Sequence, residues 1–465
     1  MTKRRGFIKK SIIGAAGVAM GFNAKTYAAV MGANDRINLG IIGIRNQGSV
    51  HIDSFCKLKD SHNVRIKTLC DADEQLFDSR TKMVVDKGGE KPATEWEMEK
   101  VFADKDIDAV SIVTPNHWHA LATIWACQAG KHVYVEKPAM HNIWEGKKMI
   151  EAARKYNRRV QVGLNNRSLA GVIEAIDLLH KGGIGEVYMA RGICYKSRDS
   201  YGMAKDSTPP ATFHYDRWLG PAPYRPYNEK RGHYNFHWYW DTGNGDIGNT
   251  GPHQFDLARW GLNKNEHPVS VYSNGGLYGF SKDDNAPKTP GVLVYGGVDQ
   301  YGHDKTSQET PNTQSAILKY KDDKMLEFEV RSRYTYVESS LGIDVGNTFF
   351  GSDGYLELNG GTWKAFRKRE KEPFAKSKES KQDGTEHWAN FLDGIRSGKN
   401  ETLRGDINDG FLSSALPLLC NISYRMKREL KISDTKDLEM FVNDPDASGM
   451  LTAKYRPPYV VPGVV

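Results

Sequence analysis

Residues 36–51 read RINLGIIGIRNQGSVH, and residues 64–71 read VRIKTLCD, a second strand-like run closing on an acid. The run at 37–42 has strand length and is apolar but for Asn38, so it reads as a strand. Gly43, Asn46, Gln47 and Gly48 follow, and the spacing from there to about Leu58 predicts a turn and a helix. Strand, turn, helix and strand in this order form the dinucleotide-binding βαβ layout. Gly43 allows the tight turn, Gly48 lets helix and strand pack closely, and the helix amino terminus faces a pyrophosphate. Asp71, after the second strand, stands where a carboxylate bonds both ribose hydroxyls and repels a 2′-phosphate, which favours NAD over NADP. One position departs from the pattern. Arg45 occupies the place of the middle glycine of G-x-G-x-x-G. It either bonds a phosphate from the side or widens the loop.

The alternation continues. A strand over 107–113 leads into Thr114-Pro115-Asn116-His117-Trp118-His119, and a helix from about 119 to 128 is closed by Gly130. Residues 131–138, KHVYVEKP, are a short buried strand ending in Glu136-Lys137-Pro138. A charged pair straight after such a strand sits at the carboxyl edge of a sheet, where open α/β sheets bind ligands. Pro138 fixes its own φ and restricts Lys137, so the backbone aims the lysine. A helix over 143–156 and a strand over 159–162 complete a parallel, doubly wound Rossmann sheet, assigned to residues 34–163.

In this order and spacing, residues 43–48, Asp71, Thr114-Pro115-Asn116-xx-His119 and Glu136-Lys137-Pro138 resemble the glucose–fructose oxidoreductase / inositol dehydrogenase / MocA family (Gfo/Idh/MocA). The resemblance covers residues 37 to about 430. It implies that Lys137 contacts the nicotinamide ribose and the substrate, and that the Thr114–His119 loop lines the nicotinamide end. The cofactor set is then Gly43, Arg45, Asn46, Gln47, Gly48, Asp71, Thr114, Pro115, Asn116, His119, Glu136 and Lys137.

After Gly163 the pattern changes. A helix over 169–179 precedes strand-like runs at 186–195, 269–273, 292–295, 314–320, 325–331 and 354–358, and two closing helices at 386–395 and 410–426. Long strands with hairpin links predict a C-terminal α+β domain, residues 164–434, with an open-faced, mostly antiparallel sheet. Residues 435–465 read as an extended tail over the surface. Between these elements lies the most aromatic segment: Phe213, Tyr215, Trp218, Tyr224, Tyr227, His233, Tyr234, Phe236, His237, Trp238, Tyr239 and Trp240. Aromatic faces beside polar groups suit sugar rings, whose CH faces are apolar and whose hydroxyls need partners. An aromatic plug between sheet and loops is the plainer alternative. Asn165, Arg167, His233, Tyr234, His237 and Trp238 are the substrate candidates here.

The stretch 243–260 reads as a glycine loop opening a helix. On one helix Asn249 and His253 would share a face, with Asp256 a turn further. The family resemblance offers a matching Asp-xxx-His stretch in which the histidine exchanges the proton of the substrate hydroxyl. His253 matches it, while Asn249 replaces the aspartate and cannot ionise. Lys137, His253 and Asn249 are therefore the catalytic candidates, and Asn249 and His253 also face substrate. His233 and His237, at i, i+4, could begin a metal site with His253 or Asp246 if helical; sugar-hydroxyl contact is the preferred reading, and no metal is assigned.

With 465 residues, 39% hydrophobic content and a mean hydropathy of −0.59, the chain supports two sizeable cores and no integral membrane protein. Lys3, Arg4 and Arg5 followed by an apolar run over 12–22 and small residues to Ala29 resemble a twin-arginine export signal, cleaved after Ala28 or Ala29, which implies a periplasmic protein. The formal charge of +7 falls to +1 without residues 1–29, so nucleic-acid binding is not expected. Cys56, Cys70, Cys127, Cys194 and Cys420 give no disulfide framework and read as small buried hydrophobes. The leading expectation is an exported NAD-dependent oxidoreductase acting on a sugar or glycoside hydroxyl, a homo-oligomer through the C-terminal sheet. The alternatives are an NAD-dependent glycoside hydrolase or lyase working by transient oxidation and elimination, and a cofactor-retaining sugar-binding protein without turnover.

Overall fold

A computed structural model describes residues 35–198, 201–278, 306–332, 337–378 and 382–465. The expected export segment and the expected strand at 292–295 lie outside the described residues.

The first sheet comprises β1 (Ile37–Ile42), β2 (Val64–Cys70), β3 (Ala93–Glu95), β4 (Ala109–Ile112), β5 (His132–Val135) and β6 (Val160–Val162). All pairs are parallel, in the order β3-β2-β1-β4-β5-β6. Alternate residues of each strand enter different cores. Ile42, Val110, Ile112, Val133 and Val135 join one cluster; Leu39, Ile41, Ala109 and Tyr134 join another on the opposite face. With helices on both faces, the strands send apolar residues to both sides. The helix after β4 starts at Asn116 rather than near His119 and runs to Gln128.

The second sheet comprises β7 (Val187–Cys194), β8 (Ser270–Gly276), β9 (Thr313–Lys319), β10 (Met325–Arg331), β11 (Val345–Gly351), β12 (Gly354–Asn359), β13 (Thr362–Arg367), β14 (Ala375–Lys376) and β15 (Leu430–Lys431). Its order is β14-β13-β12-β11-β7-β10-β9-β8-β15. It is mixed: β7 and β10 are parallel and the other pairs antiparallel. In β9, Gln314, Ala316 and Leu318 are buried against the helices while Ser315, Ile317 and Lys319 face outward, so one face of the sheet is open.

The two sheets are stitched by the chain's last third. The helix Glu386–Ser397 returns to the first sheet, where Trp388 stacks on Tyr134 at 5.9 Å and Phe391 meets the same ring edge-on. Truncating a buried aromatic there costs about 3–5 kcal/mol. Beyond residue 435, Leu438, Phe441, Leu451, Tyr459 and Val461 are buried, with a helical turn at Pro445–Gly449. All five cysteines are free and buried. Among the described residues no helix is long and apolar enough to cross a membrane.

Candidate active site

Because the first sheet is parallel, Gly43, Asp71, Thr114 and Lys137 all emerge at one edge, beside the switch point between β1 and β4. Gly43 has φ +87°, and a Cβ there would stand 2.5 Å from the Val113 carbonyl oxygen. A Cβ on Gly48 would stand 2.1 Å from the Gly43 oxygen, so helix and turn touch through backbone alone. The helix Asn46–Leu58 has no side-chain cap, which leaves its first-turn N–H groups for a ligand. Asp71 Oδ2 accepts from Ile44 N at 2.8 Å and Oδ1 from Asp73 N at 2.9 Å. Burial pushes its carboxyl upward, and these two N–H groups pull the other way. Arg45 turns neither fully to the loop nor away. Its guanidinium pairs with Asp73 at 2.5 Å and lies 3.3 Å from His233 Nε2.

A cleft of about 440 Å³ runs from this turn to the second domain. Its inner wall is set by a polar chain. His51 Nε2 lies 3.0 Å from Glu136 Oε1 and its Nδ1 2.7 Å from Ser111 Oγ. Gln47 donates to Glu136 at 3.2 Å and the Lys137 backbone N–H at 3.1 Å. Burial alone would raise the Glu136 carboxyl; His51 and the charge of Lys137 overcome it and hold it at about 2. Glu136 is thus a fixed anion beneath Lys137. His119 bolts two loops together, with its ring nitrogens 2.7 Å from the carbonyl oxygens of Pro138 and Thr114. Tyr134 donates to Asn165 Oδ1 at 2.7 Å, holding that amide on the cleft wall.

Lys137 crosses the cleft. Its Nζ donates to the Asn249 backbone oxygen at 2.9 Å, with Oδ1 at 3.5 Å. Burial lowers its ammonium pKa, and Lys196 and Arg198 add to this against Glu136. His253 lines the same cleft, its Nδ1 buried without a hydrogen-bond partner. Burial first, then the Lys137 charge, brings its imidazole to about 3, so it is neutral near pH 7. His253 does not share one helix with Asn249. The chain forms Gly245–Asn249, breaks at Thr250, and restarts as Gly251–Gly261 with Pro252 in its first turn. Proline is tolerated there and not deeper, which divides the expected single helix.

Two expectations are corrected, and the alternative of a metal site at His233 and His237 finds no support. Arg167 does not enter the cleft: Nε and Nη2 clamp Asp256 at 2.7 and 2.8 Å, and Nη1 reaches Asp409 at 3.1 Å. Asp256, a turn beyond His253, faces this buried pair. Trp238 is buried beneath Arg198, whose guanidinium lies 4.9 Å from its ring, and does not line the cleft. His233 and His237 sit on a 3₁₀ helix, His233–Trp238, where residues three apart, not four, align. His237 Nδ1 turns to the Tyr234 oxygen at 2.6 Å, and Asp246 is taken by Arg198 and Ser332. Among the described residues no cluster of three metal-ligating side chains exists.

Several lining residues carried no sequence signal. Lys196 and Arg198 follow β7 and look like surface cations. Trp96 lies flat against His214 at 3.9 Å and 9°, with Arg217 near its other side, at the end of the cleft away from Lys137. The aromatic segment serves both readings: Phe213, Tyr215 and Trp218 form a buried cluster, as a plug would, while Phe213 and Trp218 also line the cleft together with Tyr234, Phe236 and His237. The residues fit a dinucleotide. Thr114 Oγ1 and Asn116 Oδ1 are buried on the wall without partners, and Gly43 and Gly48 keep side chains out of the turn.

Comparison with known proteins agrees with this geometry. Residues 37–164 match the model of the oxidoreductase family's NAD-binding Rossmann fold, and residues 196–277 match that of the same family's C-terminal α/β domain. The chain belongs to the Gfo/Idh/MocA oxidoreductase family, and its first domain is the NAD-binding one. A glycosyl hydrolase family 109 protein of Shewanella pealeana is 31% identical over 157 residues, 33% of this chain and 34% of that protein. The matched stretch thus spans about a third of the length of such relatives. Aldose–aldose oxidoreductase from Caulobacter crescentus, complexed with glycerol, superposes with a TM-score of 0.61 at 16% identity, covering 85% of this chain and 100% of that one. The WlbA dehydrogenase from Bordetella pertussis, in complex with NADH and UDP-GlcNAcA, gives 0.59 at 20% identity over 85% and 99%. At these identities the structural likeness establishes the fold.

Proposed function

We propose that this protein is an NAD-dependent oxidoreductase that acts on a hydroxyl of a sugar or glycoside. The observation that carries the reading is the meeting of Lys137, from the first domain, with Asn249 and His253, from the second, over one cleft. Gly43, Gly48, the first turn of Asn46–Leu58, Asp71, Thr114 and Asn116 would hold the dinucleotide. When bound, the nicotinamide supplies a hydride acceptor. Lys137, carried forward by β5 and tethered by the Asn249 oxygen, has N–H groups left to polarise a substrate oxygen. His253 is neutral and unbonded at Nδ1, so it can take the hydroxyl proton. The Lys137 charge disfavours protonation of His253, which keeps the imidazole free to accept a proton.

A second reading, cleavage of a glycosidic bond with no net redox change, is favoured by the glycosyl hydrolase family 109 relatives. It uses the same residues and differs in outcome: product forms without accumulation of NADH. Both are tested by assaying a panel of sugars and aryl glycosides. His253→Ala should lower turnover about 10²–10⁴-fold with NAD(H) binding retained. Lys137→Ala should also cut turnover, and the double variant should be little worse than the worse single one. Full activity in His253→Ala would remove the mechanism.

A further inference from the structure

Charge at the Lys137 end of the cleft does not balance. Three cations face it: Lys137, Lys196 and Arg198. Both nearby carboxylates are already engaged. Glu136 is held by His51, Gln47 and the Lys137 backbone. Asp246 accepts from Arg198 Nε at 2.6 Å and from Ser332 Oγ at 2.7 Å. This fixes the Arg198 guanidinium, which stacks over Trp238, donates to the Tyr234 hydroxyl at 3.1 Å and keeps Nη2 without a partner among the described residues. Lys196 is exposed and, among the described residues, has neither ion pair nor hydrogen bond. Its charge reaches into the site, lowering both Lys137 and His253. Burial keeps His237 and His253 neutral, so they neither offset this charge nor add to it.

We infer that the substrate is an anionic sugar whose carboxylate, phosphate or sulfate group is received by Lys196 and the free edge of Arg198. The inference rests on the proposed sugar oxidoreductase reading and specifies its substrate class. A charge-assisted contact with an anion is stronger than one with a neutral hydroxyl, so an unpaired cation pair favours a charged ligand over its neutral parent. Placing the anion on these two residues leaves Lys137 and His253 for the reacting hydroxyl.

The test measures binding, not turnover, so it stands apart from the catalytic roles. NAD-loaded protein is titrated calorimetrically with matched sets: glucose, glucuronate, glucose 6-phosphate and glucose 6-sulfate, and the galactose counterparts. At least one anionic member should bind about ten- to a hundredfold tighter than its neutral parent. The gap should shrink with added salt. Which anion binds tightest identifies the group. Lys196→Met should abolish the gap; Lys196 is the position to vary because it is exposed, whereas removing Arg198 would strand buried Asp246. Neutral sugars binding as tightly as charged ones, no binding by any charged sugar, or a gap that survives Lys196→Met would each overturn the inference. Wild-type activity in His253→Ala would instead sink the oxidoreductase reading while leaving the binding preference in place.

Discussion

At the residue scale the chemistry depends on which charges are fixed and which are free. Asp71 illustrates this. Its two oxygens each accept one backbone N–H, from Ile44 and Asp73, which locks the carboxylate at the tip of β2 and leaves lone pairs facing the cleft. A fixed anion there bonds ribose hydroxyls and repels a 2′-phosphate. Arg45, the nearest cation, is already engaged by Asp73 and cannot freely serve a phosphate. Asp71→Ala should therefore lower the preference for NAD over NADP about tenfold or more, read as the ratio of dissociation constants. A wild-type protein that already prefers NADP would make Arg45 the phosphate partner and cancel the role given to Asp71.

At the scale of elements the segment 210–220 stands out. It comes from the second domain yet crosses the cofactor cleft of the first. His214 N donates to the Ala72 oxygen at 2.8 Å and Glu74 N to the Thr212 oxygen at 3.0 Å. Arg217 reaches Glu97 at 2.9 Å and Glu99 at 2.6 Å, and Trp118 Nε1 donates to the Trp218 oxygen at 3.0 Å. Arg456, near the end of the chain, holds this strap by donating to the Gly220 oxygen at 3.0 Å and to Asp216 at 2.6 Å. A cofactor beneath such a strap leaves only when the strap opens. NAD(H) should therefore survive gel filtration with the protein and appear in the supernatant after denaturation. Arg456→Ala, which loses contacts that are partly solvent-screened, should speed cofactor release about three- to tenfold in a displacement assay. A purified protein free of cofactor that exchanges NAD(H) within a second would show that the strap does not retain it.

For the molecule as a whole, buried histidines govern acid sensitivity. Burial brings His117 and His267 to about 3 and His387 to about 4, against 6.5 in an unfolded chain. Depressed values mean that the unfolded chain takes up protons first. This stability is present above pH 6.5 and is lost as pH falls toward 4, by at most about 1.4 kcal/mol per pH unit for each group. Glu145 works in the opposite sense. Burial raises it to about 7, so it gains a proton on folding and favours the folded chain between pH 7 and 4.5. Three histidines outweigh one carboxyl. The melting temperature should fall from pH 7 to 5, before carboxylates such as Glu136 titrate; a flat profile over that range would contradict the assignment.

The sequence by itself determined the first domain and the strand edge from which Lys137 emerges. Residues 37–42 and 132–135 are apolar at every position but Asn38 and His132 because helices cover both faces, and Gly43 and Gly48 have no substitute in a turn where backbone meets backbone. Such constraints are local, so they are written locally. The strand β11 (Val345–Gly351) escaped reading because its polar and glycine positions are paired with β7, distant in sequence. The tertiary structure alone decided which polar residues are free. Arg167 and Lys196 look alike in a string of letters; one is clamped by Asp256, 89 residues away, and the other faces the cleft without a partner among the described residues. A charge acts on a ligand only when no nearer opposite charge has claimed it, and which charge is nearer is a property of the folded chain.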